Sequence, residues 1–278
     1  MIGKAFAPSH ITGFFYAHDD PDPLKMGSCG CGFTLEAGVH TASWPSNATE
    51  VYVDGMPSEA STTRTVIELL TDKPVHVESD MDMPVGGGFG ASGAGAFSTA
   101  LAVNRALGLG KTYNELSYAA HVAEVKNRTG LGDVAGMTLG GLVIRLVPGA
   151  PFTLDRIPVE AKDIYCVHFG PISTKSVLSD PREKALINEA GKKCLKELLR
   201  QPTFEQFMRL SRKFSVDTGL ISPKALDTVE AVEAFDGMAS MAMLGDTVFS
   251  TIPEGLSGNV IKSRISLCGA RPIGANNE

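Results

Sequence analysis

Residues 74–82, "PVHVESDMD", alternate apolar and polar positions, the period-two pattern of a half-buried strand. "GAFSTALAVNRAL" (95–107) instead has almost no polar face at helical period, which predicts a buried helix. "YNELSYAAHVAEVKN" (113–127) predicts a second helix, ended by the loop "RTGLGD", and "GGLVIRLV" (140–147) predicts a strand. Upstream, residues 33–54 read as short strands broken by turn residues, and "TTRTVIELL" (62–70) reads as a short helix. "VPGAPFTLDRIP" (147–158) holds three prolines and reads as a loop, which sets a domain boundary between residues 1–155 and 156–278. Beyond it come a strand "DIYCVHFG", helices near 181–200, 203–214 and 223–235, and a final strand "NVIKSRISL". Both halves mix helix and strand, so the fold class is α+β in two domains.

One stretch fits neither period. "PVGGGFGASGAGA" (84–96) holds six glycines, three alanines and one serine in thirteen positions. It contains G-x-G-x-x-G at Gly88, Gly90 and Gly93, but a dinucleotide fingerprint needs a βαβ unit, and the following helix runs into a loop and another helix. "RALGLGKT" (105–112) misses the P-loop pattern, with Arg105 where glycine is required and a helix in front instead of a strand. A third reading fits better. A glycine-rich loop opening onto an apolar helix offers unblocked N–H groups at the positive end of the helix dipole, and donors without β-carbons can wrap a triphosphate. Ser92 is the one hydroxyl in that turn, placed to reach a Mg²⁺ held between phosphates.

Composition narrows the partners. A net charge of -6 argues against nucleic acid, which calls for a basic surface. No apolar stretch reaches membrane-span length, and the start "MIGKAFAPSHITGFF" lacks the features of a secretory signal. The five cysteines, at irregular spacings, suit a reducing cytoplasm rather than a disulfide framework. Cys29 and Cys31 form a C-x-C pair without the second pair that a tetrahedral zinc site needs.

"PVGGGFGASG" resembles the second motif of the GHMP kinases, P-x-x-x-G-L-G-S-S-A, with alanine and glycine replacing the first serine and the final alanine. "APSHITGFF" (7–15) resembles their first motif, and "HVAEVKNRTGLGDVAG" (121–136) the segment with a helical glutamate and then an aspartate in a G-x-D turn. "MAMLGDTVFS" (241–250) stands where the third motif belongs but lacks its glycine run. Within the superfamily, these strings together with "GGLVIRLVPGAP" are similar to the archaeal pantoate kinases. The resemblance implies an N-terminal domain like the second domain of ribosomal protein S5, a ferredoxin-like C-terminal domain, and ATP with Mg²⁺ in the cleft between them. It implies phosphorylation of pantoate to 4-phosphopantoate on the archaeal route to coenzyme A. Family members are often dimers, and the sequence leaves a homodimer open.

By that resemblance, Pro84, Gly86, Gly87, Gly88, Phe89, Gly90, Ala91, Ser92, Gly93 and Ala94 cradle the phosphates, and Ser92 and Glu124 are the metal ligands. Asp133 accepts or orients the proton of the substrate hydroxyl. Read alone, Glu124 is a solvated helix charge as readily as a ligand, and Asp133 a turn aspartate between glycines. The pantoate carboxylate calls for a guanidinium, and Arg145, the odd residue in an apolar strand, is the first choice. His121, one helical turn before Glu124, is a candidate for the 2-hydroxyl, against the alternative of a core histidine with a backbone partner. Ser28, Thr174, His10 and Thr12 are further candidate substrate contacts. Two rival readings remain: a kinase for another small alcohol such as homoserine or mevalonate, and a kinase-like sensor without turnover. Ser92, Glu124 and Asp133 together argue against the sensor, which needs no base.

Overall fold

The computed structural model describes residues 1–170 and 180–274. Strands β1 (Gly3–His18) and β2 (Gly27–Pro45) pair antiparallel along their length, from Gly3 opposite Ser43 to His18 opposite Gly27. The interrupted strands expected over 33–54 are instead the unbroken end of β2 followed by β3 (Glu50–Val53). Gly38, which reads as a turn residue, serves close packing instead, since a β-carbon there would sit 2.7 Å from the Phe6 ring. Two irregularities interrupt the β1–β2 register, between Pro8 and His10 and between Thr12 and Phe14. Bulges bend a strand and re-aim its side chains, and this pair flanks His10 and Thr12.

Short β4 (Met56–Pro57) and α1 (Ser61–Leu70) lead to β5 (Val75–Met81), which lies between β2 and β3, antiparallel to the first and parallel to the second. Helix α2 (Ala91–Leu107) starts four residues before the expected 95 and is buried along most of its length. Its Ala94, Phe97 and Leu101 pack with Ala5, Ala7 and Val39 of the sheet. Helix α3 (Tyr113–Asn127) opens on a capping box between Thr112 and Glu115 and lies against α2 through Phe97 and Tyr113. After the "RTGLG" loop comes α4 (Asp133–Leu139), a short helix not anticipated from the sequence. Strand β6 (Leu142–Val147) pairs with the N-terminal part of β2.

Residues 153–157, expected in a loop, form β7 (Thr153–Ile157) against β6. Pro148, Pro151 and Pro158 all stand outside it, where a missing N–H costs no ladder bond. A second, antiparallel sheet holds β8 (Asp163–Gly170), β9 (Ala239–Met241), β10 (Asp246–Ser250) and β11 (Val260–Arg264) in the order β11-β8-β10-β9. Between β8 and β9 run α5 (Pro181–Arg200), α6 (Phe204–Asp217) and α7 (Pro223–Glu233). The last strand, β12 (Arg271–Pro272), returns to pair with β1. One aromatic core joins both sheets: Phe33 of β2 meets Phe249 of β10 at 5.4 Å and Phe207 of α6 at 5.9 Å, centroid to centroid. That shared core holds the β9–β10 turn against the glycine stretch, where the site lies.

Candidate active site

A cleft of about 340 Å³ opens where the start of α2, the loop after α3, the start of α4, β1 and β6 converge. Val85, Gly86, Gly88, Phe89, Gly90, Ala91 and Ser92 wall one side. Gly86, Gly88 and Gly90 all have positive φ, at 79°, 79° and 64°, which a residue with a β-carbon adopts only under strain. The chain then enters α2, whose first intrahelical donor is Ala94 N–H to the Gly90 carbonyl, so the N–H groups ahead of it are left for a ligand. Of the residues expected to cradle phosphate, Gly86, Gly88, Phe89, Gly90, Ala91 and Ser92 thus line the cleft. Pro84 and Gly87 lie outside the lining, as do Gly93 and Ala94, which face the interior from the first turn of α2.

The weak third motif has a clear structural role. The Gly87 carbonyl accepts a hydrogen bond from the Thr247 hydroxyl at 2.7 Å, and His168 Nδ1 contacts the same hydroxyl at 3.0 Å. Gly245 is packed against the Gly87 and Gly88 backbone with no room for a β-carbon. The Met243 N–H donates to the Thr12 carbonyl, and Met243 and Leu244 line the cleft. One glycine at the contact point replaces the family's glycine run, so the sequence signal was faint.

Across the cleft, Glu124 in the last turn of α3 is 1 % exposed. Its Oε1 accepts from Ser92 Oγ and Thr129 Oγ1, each at 2.6 Å, whereas Oε2 has no partner among the described residues. A β-carbon on Gly130 would overlap Oε2, and one on Gly93 would stand 3.0 Å from it, so both backbones press on the carboxylate. Burial first, then the nearby Asp133 charge, push the Glu124 pKa up from 4.5 to about 7, against the two hydroxyl donors. The solvated-charge reading of Glu124 is therefore excluded.

Asp133 opens α4 and keeps a quarter of its side chain exposed in the cleft. Its Oδ1 meets His10 Nδ1 at 2.8 Å and Thr12 Oγ1 at 3.4 Å. Burial works against its charge, but the His10 contact, Arg145 and the Thr12 hydroxyl outweigh it, and its pKa lies below the usual carboxylate value. Arg145, from β6, is 1 % exposed yet lines the cleft, with Nε and Nη1 unpartnered among the described residues. A β-carbon at Gly132 would stand 2.7 Å from Arg145 Nε and collide with the Ser28 hydroxyl, which shares the cleft.

Of the remaining expected contacts, Thr12 lines the cleft and His10 lies behind Asp133. His121 does not line the cleft and is placed as the core alternative would have it: Nε2 bonds the Met26 carbonyl at 2.9 Å, and the ring packs edge-on to Phe152. It does share the face of Glu124, but that face is turned into the interior. Thr174 lies outside the described residues. Sequence reasoning missed Thr129 and Thr247, whose hydroxyls look like ordinary loop and strand residues until tertiary contacts exist. It also missed Arg128, which caps α3 in the left-handed conformation (φ 57°) at the cleft wall.

Residues 60–141 match the family described as "GHMP kinases N terminal domain". The chain is 38 % identical to a pantoate kinase of Methanocaldococcus jannaschii over 250 residues, 88 % of this chain and 90 % of the relative. It is 38 % identical to a pantoate kinase of Thermococcus kodakarensis over 270 residues, 91 % and 89 % of the two chains. A solved structure described as a phosphotransferase related to the CoA biosynthesis pathway superposes with a TM-score of 0.89 at 31 % identity, covering all of both chains.

The Glu124 geometry has a measurable consequence without any ligand. Between pH 4.5 and about 7 the folded chain keeps a proton on Glu124 that the unfolded chain has released, so this group lowers stability as pH rises through that window. Glu124→Gln keeps an oxygen for both hydroxyls but cannot ionise. At pH 5 its Tm should match wild type; at pH 8 it should be higher by several degrees, an effect bounded at about 3 kcal/mol. Equal Tm differences at the two pH values would exclude buried charge as the cause.

Proposed function

Because the chain belongs to the GHMP kinases, in their pantoate kinase branch, we propose that its cleft transfers the γ-phosphoryl group of ATP to the 4-hydroxyl of pantoate, giving 4-phosphopantoate and ADP for coenzyme A synthesis. One observation carries the reading: a buried guanidinium with two unpartnered donor groups stands beside an ionised carboxylate, in a cleft walled by free helix N–H groups. Arg145 feels the Asp133 charge, but its Nε and Nη1 have no hydrogen-bond partner among the described residues, and an anion in the cleft would supply one. Pantoate offers one as its carboxylate, and Arg145 takes it with donors matched to two oxygens.

In this reading the backbone of residues 86–92 binds the phosphate tail and holds the γ-phosphorus in line with the substrate oxygen. Asp133 lies within the same cleft, its Oδ2 free to accept the hydroxyl proton as the new P–O bond forms and the bond to the ADP oxygen breaks. Ser28 and Thr12 offer polar contacts to the rest of the substrate. The residues also fit a divalent cation: the orphaned Glu124 Oε2 is a buried carboxylate oxygen lacking a positive partner, with the Ser92 hydroxyl beside it. Mg²⁺ held there together with phosphate oxygens would neutralise charge on the transferring group. All five cysteines are free thiols, which suits work in the cytoplasm.

Purified protein with Mg²⁺, ATP and D-pantoate should give a product of 4-phosphopantoate mass, while homoserine and mevalonate should give none; turnover of either alcohol in preference to pantoate would displace the substrate assignment. Asp133→Asn should fold normally and lose roughly 10²–10⁴-fold in kcat. Arg145→Ala should raise the pantoate KM about 10–100-fold with little change for ATP, as expected for lost charge-assisted hydrogen bonds. Thr247→Val should show the opposite split, raising the ATP KM several-fold through the loosened Gly87 carbonyl, and equal shifts in both KM values would remove that role.

A further inference from the structure

His10 makes two contacts that no substrate role explains. Its backbone N–H donates to the Phe89 carbonyl at 2.9 Å, tying β1 to the phosphate loop. Its Nδ1 meets Asp133 Oδ1 at 2.8 Å, tying the same residue to the acceptor of the substrate proton. One residue thus spans both reacting sides, from a point where bulges bend β1 around it.

The ring is fully buried and tightly packed around its Nε2 edge. A β-carbon on Gly32 would stand 2.7 Å from Cε1 and Nε2, and one on Gly136 would stand 2.6 Å from Cδ2, so two glycines leave space for the imidazole and nothing more. Nε2 has no partner among the described residues. A buried proton there would lack an acceptor, which assigns the ring's proton to Nδ1 and makes Nδ1–H the donor to Asp133. Burial, with Arg145 adding to it, pulls the His10 pKa below its ordinary value against the hydrogen bond and charge of Asp133, in keeping with a neutral ring. The groups facing the pair are Arg145 from β6, Thr12 from β1 and, towards Asp133, Glu124 from α3.

Resting on the kinase reading, we infer that His10 is a positioning residue: its Nδ1–H and the Thr12 hydroxyl occupy Asp133 Oδ1, leaving Oδ2 as the atom that receives the substrate proton, in fixed register with the phosphate loop. Nε2 has no acceptor among the described residues and the Gly32 and Gly136 backbones crowd it, so His10 is assigned to hold Asp133 and not to relay its proton onward. The proton taken by Oδ2 leaves through the cleft with the product.

Asparagine places an amide donor close to the Nδ1 position, glutamine places it one bond further out, and leucine supplies none. His10→Leu should lower kcat about 10–100-fold, as a misplaced reacting group does, with the ATP KM within twofold of wild type. The acid limb of its kcat profile should move to higher pH, because Asp133 loses a donor that favours its charged form. His10→Asn should restore most of kcat and return the limb towards wild type. Should His10→Leu not fold, His10→Gln takes its place in the comparison. A second readout needs no turnover: ¹³C-aspartate NMR, with Asp133 assigned through Asp133→Asn, should show Asp133 titrating at higher pH in the leucine or glutamine variant than in wild type or His10→Asn. If wild type forms no phosphopantoate, the substrate reading fails while this titration still decides the His10 contact. Unchanged kcat and unchanged Asp133 titration on losing the donor would overturn the inference, as would an asparagine variant no better than leucine or glutamine.

Discussion

Three charged side chains, Glu124, Asp133 and Arg145, are withdrawn from water around one cleft, and their incomplete neutralisation is the constraint on which the rest of the site depends. Desolvating a carboxylate or guanidinium costs several kcal/mol unless partners replace the lost water. The fold supplies some partners and withholds others. Glu124 receives two hydroxyls on one oxygen and none on the other, and Arg145 keeps two donor groups open. Asp133 alone is held clearly ionised, through His10, Arg145 and Thr12. Its partners differ from the others' in the way the proposed roles require, a proton acceptor for Asp133 and ion-binding groups for the other two.

Such crowding of polar groups is possible only where backbone replaces side chain. Gly130 and Gly93 confine Glu124, Gly132 admits Arg145 and Ser28, Gly32 and Gly136 hold His10, and Gly245 lets the β9–β10 turn reach the phosphate loop. These positions come from four separate stretches of the chain, around residues 32, 93, 130–136 and 245, yet each removes one β-carbon near the cleft. Close packing of this kind fixes side-chain directions without spending hydrogen bonds on them, which leaves those bonds available to ligands.

The local pattern carried much of the fold. Period-two alternation over 74–82 became β5, and the apolar stretch 95–107 became the buried helix α2. Reading failed where glycine and proline were taken as breakers: β2 runs straight through Gly38, and β7 forms between flanking prolines. In both places a neighbouring strand supplies hydrogen bonds that outweigh local propensity.

For the site, the chain alone pointed to the glycine loop, because six glycines before an apolar helix favour exposed backbone donors. Ser92 and Arg145 also stand out against their local pattern, whereas Glu124 and Asp133 read alone as an ordinary helix charge and turn residue and are singled out by the family resemblance. Only the tertiary structure decided which of their atoms are satisfied. His121 and His10 are indistinguishable as letters, yet one spends its ring on the Met26 carbonyl and the other on Asp133. Hydrogen bonds between residues more than a hundred positions apart depend on how β1, α4 and β6 meet, and no local rule in the chain encodes that meeting.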